Sequence, residues 1–162
     1  MSEILDISKE LLGLGATLAK ARHERRVALA DYLANIATCI EKILEASNVP
    51  GDETHHQLCS ELFVYASGSE NLFYQMLEER KAKEVSDGIR RALLGRQMVY
   101  DLSYRPSHDR GKYIRELRES AGYLRGTANI LRAPVPVFER VAEGRSFRKQ
   151  LSRFWRMLVG GL

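Results

Sequence analysis

A chain of 162 residues with 44% hydrophobic and 28% charged content is long enough to bury a core and too apolar for intrinsic disorder or a collagen-like class. Its formal net charge is +4, and no run approaches the roughly 18 uncharged apolar residues of a membrane-crossing helix. The four prolines, at 50, 106, 134 and 136, leave two long stretches free of the strongest helix breaker, so the expectation is one all-α domain over residues 1–162.

The first stretch reads as helix from about Glu3 to Ala46. Ile4, Leu5, Leu11, Leu12, Leu18, Leu29, Tyr32, Leu33, Ile36, Ala37, Ile40, Ile43 and Leu44 recur at steps of three and four, which places them on one helical face. Gly13 and Gly15 each weaken a helix interior by about 1 kcal/mol, so a bend or a separate short helix is expected there. The stretch closes at Ser47-Asn48-Val49-Pro50-Gly51, a helix stop.

A second helix is expected from Asp52 to Thr54 through Ala66, ended by Ser67-Gly68-Ser69. The string ENLFYQ at 70–75 resembles a protease-tag site with its aromatic pair inverted and reads as native helix. Helix is expected from Ser69 to just before Pro106, with Ser86-Asp87-Gly88 as a candidate break. Ser107-His108-Asp109 then supplies N-cap chemistry for a helix carrying Ile114, Leu117, Ala121, Leu124, Ala128 and Leu131 on one face. Beyond Ala133-Pro134-Val135-Pro136 the pattern gives a short helix and a last one over about 145–159. The architecture expected is a helical bundle of about four main helices plus a short terminal amphipathic basic helix.

The charge is unevenly spread. Residues 1–50 carry 6 basic and 7 acidic groups, residues 51–110 carry 8 and 10, and residues 111–162 carry 11 and 4. The positive field therefore belongs to the C-terminal third, and an anionic partner is expected to meet that end.

The tail concentrates that signal. Phe147, Leu151, Phe154, Trp155 and Leu158 fall within about 100° of one another on a helical wheel, with Arg145, Arg148, Lys149, Arg153 and Arg156 filling the rest. Such a segment either docks its apolar face as the last helix of a bundle or meets a partner or an anionic membrane surface, aromatics at the headgroup boundary and cations on the lipid. The candidate membrane- or partner-binding residues are thus Phe147, Leu151, Phe154, Trp155, Leu158, Arg148, Lys149, Arg153 and Arg156. The amphipathic first helix, with Ile4, Leu5, Leu11 and Leu12, is a second candidate arm. An alternative reading uses Arg115, Arg118, Arg125 and Arg132 with the tail as one basic face for nucleic acid, although no recognised RNA or DNA module accompanies it.

Other constellations read more plainly. His55 and Cys59 stand one helical turn apart next to His56, but a zinc site needs three or four ligands, and Cys39, His23 and His108 lie at no metal-motif spacing. No metal and no cofactor are expected. The band RHERR at 22–26 reads first as a solvated face, with phosphate or partner contact by Arg22, Arg25 and Arg26 as the sharper option. No nucleophile elbow, phosphate-cradling loop or paired acids occur at a catalytic spacing, so the expectation is a protein that is not an enzyme. Two cysteines and no secretory signal read as reduced thiols of a cytoplasmic protein.

The segment LLGLGATLAKARHERRVALADYLANIATCIEKILE, residues 11–45, combines a glycine-punctuated helix, a basic turn and an ADYLxxIAxCI helix. In this it resembles bacterial effector-associated helical bundles, comparable to the HeLo and mixed-lineage-kinase-like four-helix domains, and the likeness extends through CSELFVYA at 59–66. The resemblance implies an α-bundle that acts by assembly or membrane disruption in conflict and cell-death systems. It carries over no individual functional residue. Together these readings give a helical effector or adaptor that works by protein association, including self-association, with peripheral binding at the inner face of the membrane.

Overall fold

The computed structural model describes residues 3–46, 53–68, 70–93, 98, 101–102 and 106–133, the side chains of residues 54 and 55 aside. The fold is all-α, and no strand occurs among the described residues. Helices α1 (Glu3–Leu18), α2 (His23–Ala46), α3 (Glu53–Ser67), α4 (Glu70–Tyr74), α5 (Glu79–Ala92) and α6 (Ser107–Arg132) follow one another along the chain. The chain divides into two units, Met1–Arg132 and Ala133–Leu162, and the helices named belong to the first. The short helix after Pro136 and the last helix expected over 145–159 lie outside the described residues.

Helix α1 begins with Glu3 and Asp6 in its first turn, where carboxylates oppose the positive end of the helix dipole. It buries Ile4, Leu5, Ile7, Leu11 and Leu18, so this helix is core. Of the two outcomes expected at Gly13 and Gly15, the bend is absent, while a separate short first helix is present with its end at Leu18 rather than at the glycines. The helix runs through both and ends at Leu18, in a turn closed by Lys20 N–H to Thr17 O at 3.2 Å and Ala21 N–H to Leu18 O at 3.1 Å. Gly15 is buried, and a Cβ there would lie 3.5 Å from Ile130 Cγ2 of α6, an ordinary packing distance. Packing against α6 outweighs the propensity penalty.

The region from Ser69 also divides differently from its pattern. The break falls at residues 75–78, after Phe73 has been fully buried and its carbonyl has taken the N–H groups of Met76 and Leu77 at 3.0 and 2.9 Å. Glu78 then adopts extended angles, φ −60° and ψ 145°, as the N-cap of α5. The break proposed at Ser86-Asp87-Gly88 is absent: α5 runs through it, and a Cβ on Gly88 would lie 2.8 Å from Ile7 Cδ1 of α1. A larger residue there would require the end of the Ile7 side chain to move aside.

Helix α2 is the centre of the bundle and packs most heavily on α6, then on α3. Its Leu29, Leu33, Ile36, Ile40 and Ile43 are fully buried or nearly so, together with Leu117, Leu124 and Leu131 of α6 and Leu62 of α3. Fully burying a side chain of this kind is worth about 1.5–3 kcal/mol, so this shared core supplies most of the driving force. The buried hydroxyls of Ser8, Ser120 and Thr127 donate to the carbonyls of Ile4, Glu116 and Tyr123 one turn back, at 2.7, 2.7 and 2.9 Å. Each polar group is thereby satisfied without breaking its helix.

Candidate interaction surfaces

Two seams run along α2, and each is fixed by a pair of polar contacts two helical turns apart. Toward α6, Arg125 holds both carboxylate oxygens of Glu41 through its Nε and Nη2, Nε to Oε1 at 2.9 Å, and Nη2 also donates to Thr38 Oγ1 at 3.2 Å. Arg132 donates to Asp31 Oδ1 at 2.7 Å. The steps from Thr38 to Asp31 and from Arg125 to Arg132 are equal and opposite, which makes the helices antiparallel. The Arg125 guanidinium, chiefly through its hydrogen bond, holds the Glu41 carboxyl below its usual range.

Toward α3, Tyr32 Oη donates to the Tyr65 carbonyl at 3.0 Å and Cys39 Sγ donates to the Leu58 carbonyl at 3.3 Å. The steps from Tyr32 to Cys39 and from Tyr65 to Leu58 again run in opposite directions, so α3 is also antiparallel to α2. Asp31 and Thr38 sit one residue before Tyr32 and Cys39, about 100° around the helix. Helix α2 therefore presents adjacent flanks to its two neighbours.

These seams bear directly on the basic residues. Of the four arginines proposed as one nucleic-acid face, Arg125 and Arg132 are engaged by acids of α2, while Arg115 and Arg118 are exposed. A phosphate on the paired two would have to displace Glu41 and Asp31. The RHERR band is not uniformly solvated: Arg26 is 3% exposed, with Nη2 donating to His23 Nδ1 at 3.3 Å. Arg25 is exposed and donates to the Gln75 carbonyl at 2.8 Å, tying the start of α2 to the turn after α4.

The first-helix arm is packed rather than displayed: Ile4, Leu5 and Leu11 are buried and Leu12 is half-buried. The tail residues Phe147, Arg148, Lys149, Leu151, Arg153, Phe154, Trp155, Arg156 and Leu158 lie outside the described residues.

One surface was not anticipated from the pattern. Phe63, Val64 and Tyr65 on α3 are 42%, 70% and 38% exposed. Cys59, Leu62 and Ala66 are its buried positions, and this spacing was a sufficient signal, since an inward face at 59, 62 and 66 leaves 63, 64 and 65 outside.

Among the described residues, no group of three His, Cys, Asp or Glu side chains is arranged to hold a metal ion. Cys59 faces inward and His56 is exposed, and the His55 side chain lies outside the described ones. A cavity of about 10 Å³ lies among Ile4, Ile7, Leu11, Leu33, Ile36 and Ile89, room for roughly one water and far below a substrate pocket. No described helix is long and apolar enough to cross a membrane. Comparison with protein-family models, with curated proteins and with solved structures finds no match.

Proposed function

We propose that this protein is a non-enzymatic helical effector or adaptor, of the kind used in bacterial defence and programmed cell death, acting by protein association and by peripheral contact with anionic membrane at the inner face. The acting element in this reading is a short terminal amphipathic basic helix. Its apolar side carries Phe147, Leu151, Phe154, Trp155 and Leu158, and its cations are Arg148, Lys149, Arg153 and Arg156.

The observation that carries the reading is the segregation of charge. Of the 25 basic residues, five fall between Arg145 and Arg156, and no acid follows Glu143. Upstream, the two arginines nearest the end of α6 face acids of α2. The tail thus holds positive charge with no acidic neighbour in its own stretch, interleaved with two phenylalanines and the single tryptophan. Each such cation near an anionic surface contributes about 1 kcal/mol, screened by salt.

The test is co-sedimentation of the full chain with vesicles of phosphatidylserine and phosphatidylcholine or of phosphatidylcholine alone. The reading expects retention on the anionic vesicles only, weakened by salt and lost in an Arg148→Glu, Arg153→Glu variant that keeps its helical content. Equal, negligible binding to both vesicle types removes the membrane contact, and a strictly monomeric chain that captures no partner removes the association.

A further inference from the structure

The antiparallel register of α2 and α3 has a chemical consequence at one level of the seam. The contacts from Tyr32 to Tyr65 and from Cys39 to Leu58 pair positions whose numbers rise on one helix as they fall on the other. Cys59 follows Leu58 directly, so the chain's two cysteines stand at the same height on facing helices. The Cys39 sulfur lies 3.3 Å from the Leu58 carbonyl oxygen, and covalent geometry then keeps the Cys59 Cα within about 6 Å of that sulfur. Both thiols are buried, Cys39 at 5% and Cys59 at 2% exposed. Turning about χ1 swings each sulfur toward the other, while the Cα separation of about 4.4–6.8 Å that a disulfide needs is set by the helix backbones and is reached as α3 recloses on α2.

We propose that Cys39 and Cys59 are a dithiol that closes into a disulfide between α2 and α3 when the protein meets a low-molecular-weight disulfide oxidant. One thiol gives up its proton, and its sulfur attacks the oxidant and expels one thiolate. The second cysteine, deprotonated in turn, attacks the protein sulfur of that mixed disulfide and expels the oxidant's other half. Two protein thiols are oxidised to one disulfide, and the oxidant takes two electrons and two protons to leave as two thiols.

In the closed seam the pair is protected. Burial, with Glu61 adding to it against an opposing effect of Lys42, pushes the Cys39 thiol up to about 11. Burial and the neighbouring Cys39 push Cys59 up to about 12. At neutral pH almost no thiolate exists there, and the thiolate is the attacking species. Attack therefore waits for α3 to part from α2, and reclosing brings the second sulfur to the first. The product ties α3, with its exposed Phe63, Val64 and Tyr65, to the central helix.

The test treats the reduced full chain, in native buffer, with glutathione disulfide and follows intact mass and peptide maps. The expected product is monomeric, lighter by two hydrogens, with a Cys39–Cys59 cross-linked peptide that dithiothreitol opens. Its rate of formation rises about tenfold per pH unit below the pKa of the exposed thiol. Its Tm rises by roughly 5–10 °C, as expected for a cross-link across a loop of this length. Cys39→Ser and Cys59→Ser each abolish the cross-link, and the wild-type mass alone decides the matter should either variant not fold. Thiols that stay free, a glutathione adduct that never resolves, dimers linked between chains, or a cross-link that appears only in urea would each overturn the proposal.

Discussion

Helix α6 and helix α3 flank the same central helix, in the same antiparallel sense, and are held to it in different ways. Along its 26 residues α6 buries Tyr113, Leu117, Ser120, Ala121, Leu124, Thr127, Ala128 and Leu131, and ionic clamps to Glu41 and Asp31 rim the seam. Helix α3 is 15 residues long and buries Cys59, Leu62 and Ala66 among its described side chains, with Leu58 partly buried. It is pinned by one phenol and one thiol donating to its backbone carbonyls. The difference teaches that clamp geometry sets register, while buried apolar area sets strength. On that ground α6 is part of the global core and α3 is the nearer of the two to local opening.

The largest effect is expected from removing one fully buried leucine from each helix. Leu117→Ala lowers global stability by about 3 kcal/mol, read from urea unfolding. Leu62→Ala costs less and raises amide exchange chiefly within Glu53–Ser67. Equal global losses, with no selective exchange in α3, would show the two seams to be one cooperative unit.

A smaller effect separates the polar pins. Tyr32→Phe deletes the hydroxyl that donates to the Tyr65 carbonyl and costs about 1 kcal/mol, with faster exchange in α3 and little change in α6. The same acceleration in both helices would contradict the independence of the seams.

The smallest effect lies in the ionic rim. Because Arg125 lowers the Glu41 pKa in the folded protein, the pair's contribution is present above the unfolded carboxyl value of about 4.5 and is lost as pH falls through the lowered folded value. The side chains are 45% and 41% exposed, so the loss stays under about 1 kcal/mol and shrinks in salt. Chemical denaturation at descending pH measures it, and Arg125→Ala flattens that step. A step that persists in the variant would assign the pH dependence to another carboxylate.

Much of the bundle was legible in the sequence. The apolar steps over residues 27–45, the inward face from Leu117 to Leu131 and the boundaries around Glu53 and Ser107 follow from periodicity and caps, and the structure has helices there. The first stretch does separate into a short helix, but not at its glycines: Gly13, Gly15 and Gly88 all sit in helix interiors, two of them at contacts with other helices. No propensity scale includes a neighbour that approaches from across the core. The turn at 75–78 was missed for the same reason, since it forms around the burial of Phe73 rather than at a breaker residue.

The all-α class, the inward faces of the long helices and the concentration of positive charge toward the C-terminus follow from spacing and composition along the chain. Only the tertiary structure decided that Arg125 and Arg132 are spent on acids of α2, that Arg26 is buried, and that Cys39 and Cys59 stand level across a seam. Those facts depend on the relative register of helices, and register is set by contacts between residues far apart in sequence.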